Sequence, residues 1–205
     1  MSTDSGQLWS IVLAGGEGQR TRAFIEKWLG YHKPKQYCAF VGTRSLFQHT
    51  VDRADALGSP DHRVVVAAPE HRGHVFEQLA GRGEGRVILQ PKNRGTAPGV
   101  FLALTYVLAR DPNAAVVIYP SDHFVYPESA FLNVVGNGVR NAQRYPDGRP
   151  FCSGSDRAPW SWTTVGSCPR RVNRTDPRGG SRRSWKSPHG ISPRRRCGRA
   201  LSGTL

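Results

Sequence analysis

Four short apolar runs punctuate the first 150 residues, at 8–14, 63–68, 86–90 and 114–119. Each is rich in Val, Ile or Leu, the mark of a strand buried on both faces. Between them lie stretches long enough for helices, at 46–57, 70–80, Thr96–Arg110 and 127–144. In the third, Val100, Leu104, Val107 and Leu108 recur at helical spacing. The fourth is weakened by Gly136 and Gly138. Strands that alternate with helices confine the chain to the α/β class. Parallel neighbours need crossover connections, and these cover a mostly parallel sheet with helices on both faces. Ligands in such sheets bind beyond the carboxyl ends of the strands. A glycine-rich turn after residue 14 and the carboxylate of Asp122 both stand at such ends, so the architecture brings them together from distant parts of the chain.

The turn holds Gly15, Gly16 and Gly18, with Arg20 directly after it. Glycines there let backbone N–H groups close on phosphate oxygens without Cβ clashes. A guanidinium beside them can fork onto the same oxygens. The two commonest phosphate loops are excluded. A P-loop requires Gly-Lys-Ser/Thr after its second glycine, and no such lysine is present. A dinucleotide fingerprint starting at Gly16 requires a third glycine where the chain has Thr21. What remains is Gly-Gly-x-Gly-x-Arg followed by Lys33-Pro34-Lys35-Gln36.

That pairing resembles the sugar-phosphate nucleotidyltransferases. Gln90-Pro91-Lys92-Asn93-Arg94-Gly95-Thr96-Ala97-Pro98 is similar to the Glu-Pro-x-x-Arg-Asn-Thr-Ala-Pro segment of mannose-1-phosphate guanylyltransferases, and Tyr119-Pro120-Ser121-Asp122-His123 to their Pro-Ser/Ala-Asp-His segment. The likeness covers about residues 8–150. It implies a Rossmann-like nucleotidyltransferase domain, cytoplasmic, that joins GTP to mannose-1-phosphate with Mg²⁺. In that reaction a sugar-1-phosphate oxygen attacks the α-phosphorus and pyrophosphate leaves. By the resemblance, backbone groups of Gly15, Gly16 and Gly18 hold the triphosphate, and Arg20 neutralises its leaving end. Lys35 meets the α-phosphate or the incoming sugar phosphate, and Asp122 binds the metal. Leu13, Ala14, Gln90, Arg94, Gly95, Thr96 and Ser121 complete the nucleotide-binding set. His123 is read as structural, and His32, His49, His71 and His74 show no metal-ligand partnership. Two positions depart from the pattern: Gln90 stands for the usual glutamate and Gly95 for the usual asparagine. Both keep open a relative that uses another sugar or nucleotide.

The chain of 205 residues is expected to form one nucleotidyltransferase domain, residues 1–154, with an appended tail, residues 155–205. Its N-terminus has no basic n-region or apolar h-region, so no secretory signal is expected, and no apolar run approaches the roughly 20 residues that span a bilayer. Cys38, Cys152, Cys168 and Cys197 are scattered, which favours reduced thiols over a zinc site or a disulfide framework. The net charge of +14 is unevenly placed. Residues 1–150 carry 17 Lys+Arg against 13 Asp+Glu, a net +4; residues 151–205 carry 12 against 2, a net +10. Such an Arg/Ser/Pro-rich tail reads as disordered. Arg170-Arg171, Arg182-Arg183 and Arg194-Arg195-Arg196, with Trp160, Trp162 and Trp185, suit adventitious, salt-sensitive nucleic-acid binding, or a nucleic-acid-binding protein as the rival function.

The genetic code supplies a different origin for the tail, a shifted reading frame. Codons built from the last base of one codon and the first two of the next turn Trp162–Thr163 into an obligatory aspartate. The four junctions that follow permit Tyr-Gly-Trp-Ile. Trp185–Lys186 becomes an obligatory glutamate, and its neighbours permit Phe-Val-Glu-Lys-Pro. Both strings resemble later motifs of the family, in the family's order. The encoded chain would then lack its sugar-binding half, and its transfer rate is expected to be very low. Sequencing genomic DNA across codons 145 to 190 is expected to show a base gained or lost; an unbroken frame overturns this origin.

Overall fold

A computed structural model describes residues 7–92 and 94–144, together with the backbone of 151–155 and 158–167. Its strands are β1 (Leu8–Leu13), β2 (Arg63–Ala67), β3 (Arg86–Leu89), β4 (Ala115–Pro120), β5 (Phe151–Ser155) and β6 (Ala158–Ser167). They form one sheet in the order β3-β2-β1-β4-β6-β5. The first four are parallel, with β1 between β2 and β4. β6 runs antiparallel to both β4 and β5.

Five α-helices are described: α1 (Arg22–Leu29), α2 (Leu46–Asp55), α3 (Arg72–Leu79), α4 (Thr96–Arg110) and α5 (Glu128–Arg144). Side chains of a strand alternate between faces, and here both faces are apolar. Val12, Val65, Val117 and Tyr119 point to one side, where Phe47 and Val51 of α2, Val75 of α3, and Val135 and Val139 of α5 close over them. Trp9, Ile11, Val64, Val66 and Val116 point to the other, against Ala103 and Val107 of α4. Near-continuous valine in the central strands is thus the direct consequence of two-sided burial. The α4 stripe follows its expected register in part: Val107 is buried and Leu104 packs against the core. Its buried line is Gly99, Ala103 and Val107, small residues that let the helix approach the sheet, while Leu108 is 42% exposed.

Two elements differ from the sequence reading. No helix is expected between the glycine turn and Lys33, yet α1 forms there. Its apolar residues do not make a core stripe, since Ile25 is buried while Phe24 and Trp28 are exposed. It stops at Gly30, whose φ of +81° is open to glycine and costly for other residues. The folded part also continues past residue 154. The backbone of Ala158–Ser167 pairs with β4 from Ala115↔Ser167 to Ile118↔Thr164. The aromatic and β-branched sequence Trp160-Ser161-Trp162-Thr163-Thr164-Val165 has strand propensity that the tail's basic composition masks. Residues 168–205, with the arginine clusters, lie outside the described residues.

Two buried guanidiniums brace the helical layer. Arg63, fully buried at the start of β2, donates to Asp55 at the end of α2 and to the Arg82 carbonyl at 2.9 Å. Arg53 donates to Glu128 at 3.1 Å and to Thr50 at 2.8 Å, tying α2 to α5. Removing Arg63 would strand the half-buried Asp55 carboxylate without its cation. Arg63→Ala is therefore expected to lower the unfolding free energy by roughly 3 kcal/mol, read as a fall in the urea midpoint.

Candidate functional site

Leu13 and Pro120 are paired across β1 and β4, so the chain leaves both strands side by side. Connections from β1 lead one way across the sheet and β4 lies the other way, which opens a crevice at this switch point. Beyond Leu13 the chain turns through Gly15, Gly16 and Gly18. A Cβ at Gly15 would lie 3.4 Å from the Ala68 nitrogen, so the turn runs close against the end of β2. Gly18 has φ of +64°, and a Cβ there would stand 3.2 Å from the Lys35 nitrogen. The turn and the Lys-Pro-Lys segment are therefore packed backbone to backbone.

Beyond Pro120, the Ser121 hydroxyl donates to the Leu13 carbonyl at 2.6 Å, and its backbone N–H reaches the same oxygen at 3.3 Å. This anchors Asp122 at the mouth of the crevice. One Asp122 oxygen lies 3.6 Å from Lys35 Nζ, and the other lies 3.0 Å from His123 Nδ1. The His123 hydrogen bond holds the Asp122 carboxyl below its ordinary value, against the opposing effect of burial, and the positive charges of His123 and Lys35 act in the same direction. The side chain keeps its charge through the physiological range and gains a proton only as pH falls below the usual carboxylate region.

The far wall comes from β3 and α4. Gln90 follows β3 and its backbone N–H donates to the Ala67 carbonyl at 2.8 Å. A Cβ at Gly99 would stand 3.0 Å from Gln90 Oε1, so any larger residue would shift the amide from this place. Gly95, which caps α4, has φ +88° and ψ −176°, a region essentially restricted to glycine. An asparagine in its place would be strained, so the departure at 95 is matched by the local backbone.

Together these segments enclose a cleft of about 960 Å³. Of the residues singled out in the sequence, Leu13, Gly15, Gly16, Gly18, Lys35, Gln90, Gly95, Thr96, Ser121 and Asp122 line it. Three others do not. Arg20 and Arg94 are exposed outside the lining, and Ala14 is fully buried, its N–H bonded to the Val66 carbonyl at 2.7 Å. The sequence reading omits Gln36, Val66, Gly99, Phe101 and Ile118, which also line the cleft. Gln36 was visible as the last residue of Lys-Pro-Lys-Gln; the apolar ones carry no signal beyond their place in a strand or helix. Among the described residues no group of three or more His, Cys, Asp or Glu could hold a metal ion, and no helix is long and apolar enough to cross a membrane.

A crevice at a sheet switch point, lined by a glycine turn, one lysine and one carboxylate, lies where open α/β sheets hold their ligands. The family model for nucleotidyl transferases matches residues 9–146, and the chain belongs to that family. Among curated proteins it is similar to the mannose-1-phosphate guanylyltransferase of Salmonella montevideo, 31% identical over 139 residues, 67% of this chain and 27% of that protein. It is 33% identical over 139 residues to mannose-1-phosphate guanylyltransferase RfbM of Salmonella typhimurium, covering 66% of this chain and 27% of that one. The chain thus spans about a quarter of the length of these relatives. Among solved structures, the fold matches the mannose-1-phosphate geranyltransferase of Thermus thermophilus at a TM-score of 0.57 and 18% identity, over 80% of this chain and 50% of that one.

The two glycines of the turn separate by geometry. Gly18→Ala must adopt a left-handed backbone and press on Lys35, and is expected to cost about 1–2 kcal/mol of stability. At Gly16 a Cβ meets nothing within 4 Å and φ is not positive, so Gly16→Ala is expected to stay within about 0.5 kcal/mol of the parent. Urea unfolding of the two variants side by side checks both.

Proposed function

We propose that this chain binds a nucleoside triphosphate, GTP by its relatives, and takes part in transfer of the nucleotidyl group to a sugar-1-phosphate, mannose-1-phosphate by the same relatives. The observation that carries this is the β1–β4 register, which places the glycine turn, Lys35 and Asp122 around one cleft. Backbone N–H groups of residues 15–18 would cradle the phosphates. Lys35 is the cleft cation, and it would exchange its partner Asp122 for phosphate oxygens. Such chemistry consists mainly of holding the attacking oxygen in line and neutralising charge that develops on the phosphoryl oxygens. No general base is needed, which leaves His123 to orient Asp122.

Mg²⁺ fits this donor set. The ion takes oxygen ligands, commonly one or two carboxylates with phosphate oxygens and water. Asp122 supplies one ionised carboxylate, and the remaining ligands would come from the nucleotide and solvent. When bound there, the ion would supply charge neutralisation to the phosphoryl group.

A second reading, a relative that takes another base, is favoured by Gln90. Guanine presents two adjacent N–H donors, which a glutamate can accept together. The Gln90 amide offers one acceptor and one donor, so it also suits a base whose edge carries one donor and one acceptor. Titration of the full chain with GTP, UTP, ATP and CTP in Mg²⁺ separates the two readings. Preference for GTP supports the first, preference for ATP, UTP or CTP the second, and absence of binding refutes both. Lys35→Ala is expected to weaken triphosphate binding about 10-fold or more, the scale of a lost charge-assisted hydrogen bond. Asp122→Asn is expected to remove the enhancement of binding by Mg²⁺ while sparing metal-free binding.

A further inference from the structure

The carbonyl of Ala14, where the chain leaves β1 for the glycine turn, is met by three buried side chains. Gln36 Nε2 donates to it at 3.0 Å and the Tyr37 hydroxyl at 2.9 Å. His71 Nδ1 lies 3.2 Å away. A carbonyl oxygen cannot donate, so this contact assigns the His71 proton to Nδ1. Gln36 spends its second amide hydrogen on the Gly16 carbonyl at 2.8 Å, so one side chain spans both ends of the first half of the turn. Tyr37 packs edge-on against His71, with ring centroids 5.5 Å apart. Gln36, Tyr37 and His71 are each at most 6% exposed. The donors come from two separate segments, the Lys35–Tyr37 turn and the Pro69–His71 turn ahead of α3.

We propose that Gln36 and His71 are positioning residues that fix the glycine turn against Lys35. The inference rests on the nucleotide-binding reading given above. Three lines on the structure support it. Gln36 directly follows Lys35, so any bond that holds its amide to Ala14 and Gly16 also sets where the Lys35 backbone lies relative to the turn. Gly18 leaves no space for a Cβ between itself and Lys35, so the two segments are already in contact. The neighbouring carbonyl of Leu13 is bound by Ser121, which carries Asp122. Adjacent carbonyls of one strand end therefore register the lysine side and the carboxylate side of the cleft to each other. His71 acts at one remove. It does not line the cleft, and its ring meets the Ala14 carbonyl.

Two readouts test this in the full chain. The Ala14 N–H, bonded to Val66, and the Thr21 N–H, bonded to Gly18, bracket the turn. Without nucleotide, Gln36→Ala and His71→Ala are expected to speed hydrogen exchange at both amides about tenfold, with α2 and β2 unchanged. His71→Asn, which keeps a side-chain N–H donor near the Nδ1 position, is expected to recover most of the protection. In GTP titrations, Gln36→Ala is expected to weaken binding about tenfold in the parent and less than about threefold when Lys35→Ala is already present, because the two act as a unit. Exchange that stays at the parent rate overturns the proposal. So does a full tenfold loss in the Lys35→Ala background, which would make Gln36 an independent contact. If Gln36→Ala unfolds globally, the His71→Ala and His71→Asn pair decides through the same amides. A parent chain that binds no nucleotide refutes the functional reading alone, and the exchange rates still decide the clamp.

Discussion

Parallel pairing of β1 with β4 is the contact on which the site depends. Each strand alone ends in a turn of no particular chemistry. Set in register, Leu13 beside Pro120, they bring the glycine turn and an ionised carboxylate into one crevice. The pairing is possible because both strands are largely apolar on both faces and buried there. Hydrogen bonds between strands set the register, and apolar burial on both sides supplies the driving force. Side-chain chemistry is then added at the ends, where the backbone has left the ladder and its carbonyls are available to donors.

Those free carbonyls organise the local structure. Leu13, Ala14 and Gly16 each accept from a side chain contributed by another segment: Ser121, the Gln36–Tyr37–His71 group, and Gln36 again. A buried acceptor left unmade is costly, so the three segments are drawn to this place for structural reasons. Lys35 and Asp122 arrive as their sequence neighbours. Stability and charge placement are thereby coupled: the same bonds that satisfy the strand end decide how far the lysine stands from the carboxylate.

Much of this was legible in the chain. The strands at 63–68 and 86–90 and helix Thr96–Arg110 follow from β-branched runs and helical length; the glycine turn is marked by its residue types, and Lys35 and Asp122 by the family resemblance, and all three line one cleft. What escaped has one cause. Gln36 and His71 act on backbone carbonyls, and a sequence gives no sign of which carbonyl a fold will leave unpaired. Gly95 looked like a departure from a motif, and its necessity appears only with its φ and ψ. In α4 the apolar spacing pointed to Val100, Leu104, Val107 and Leu108; Val107 is buried and Leu104 packs on the core, while close approach to the sheet adds the small residues at 99 and 103 and leaves Leu108 exposed. The resemblance assigns Ala14 to the nucleotide, whereas strand pairing continues through it and its side chain is buried.

The separation of β1 and β4 along the chain also has a bearing on how the molecule comes into being. Leu8 pairs with Ala115, and the intervening residues must fold into β2, β3 and four helices first or alongside. Contacts of such long range form late and slowly. During synthesis the glycine turn emerges long before residue 122, and the cleft has no second wall until that residue is available. Until then β1 has one open side and must be kept from pairing with another chain. A complete cleft thus marks a late stage of assembly, and a nascent chain that presents it has already placed β1 between both neighbours.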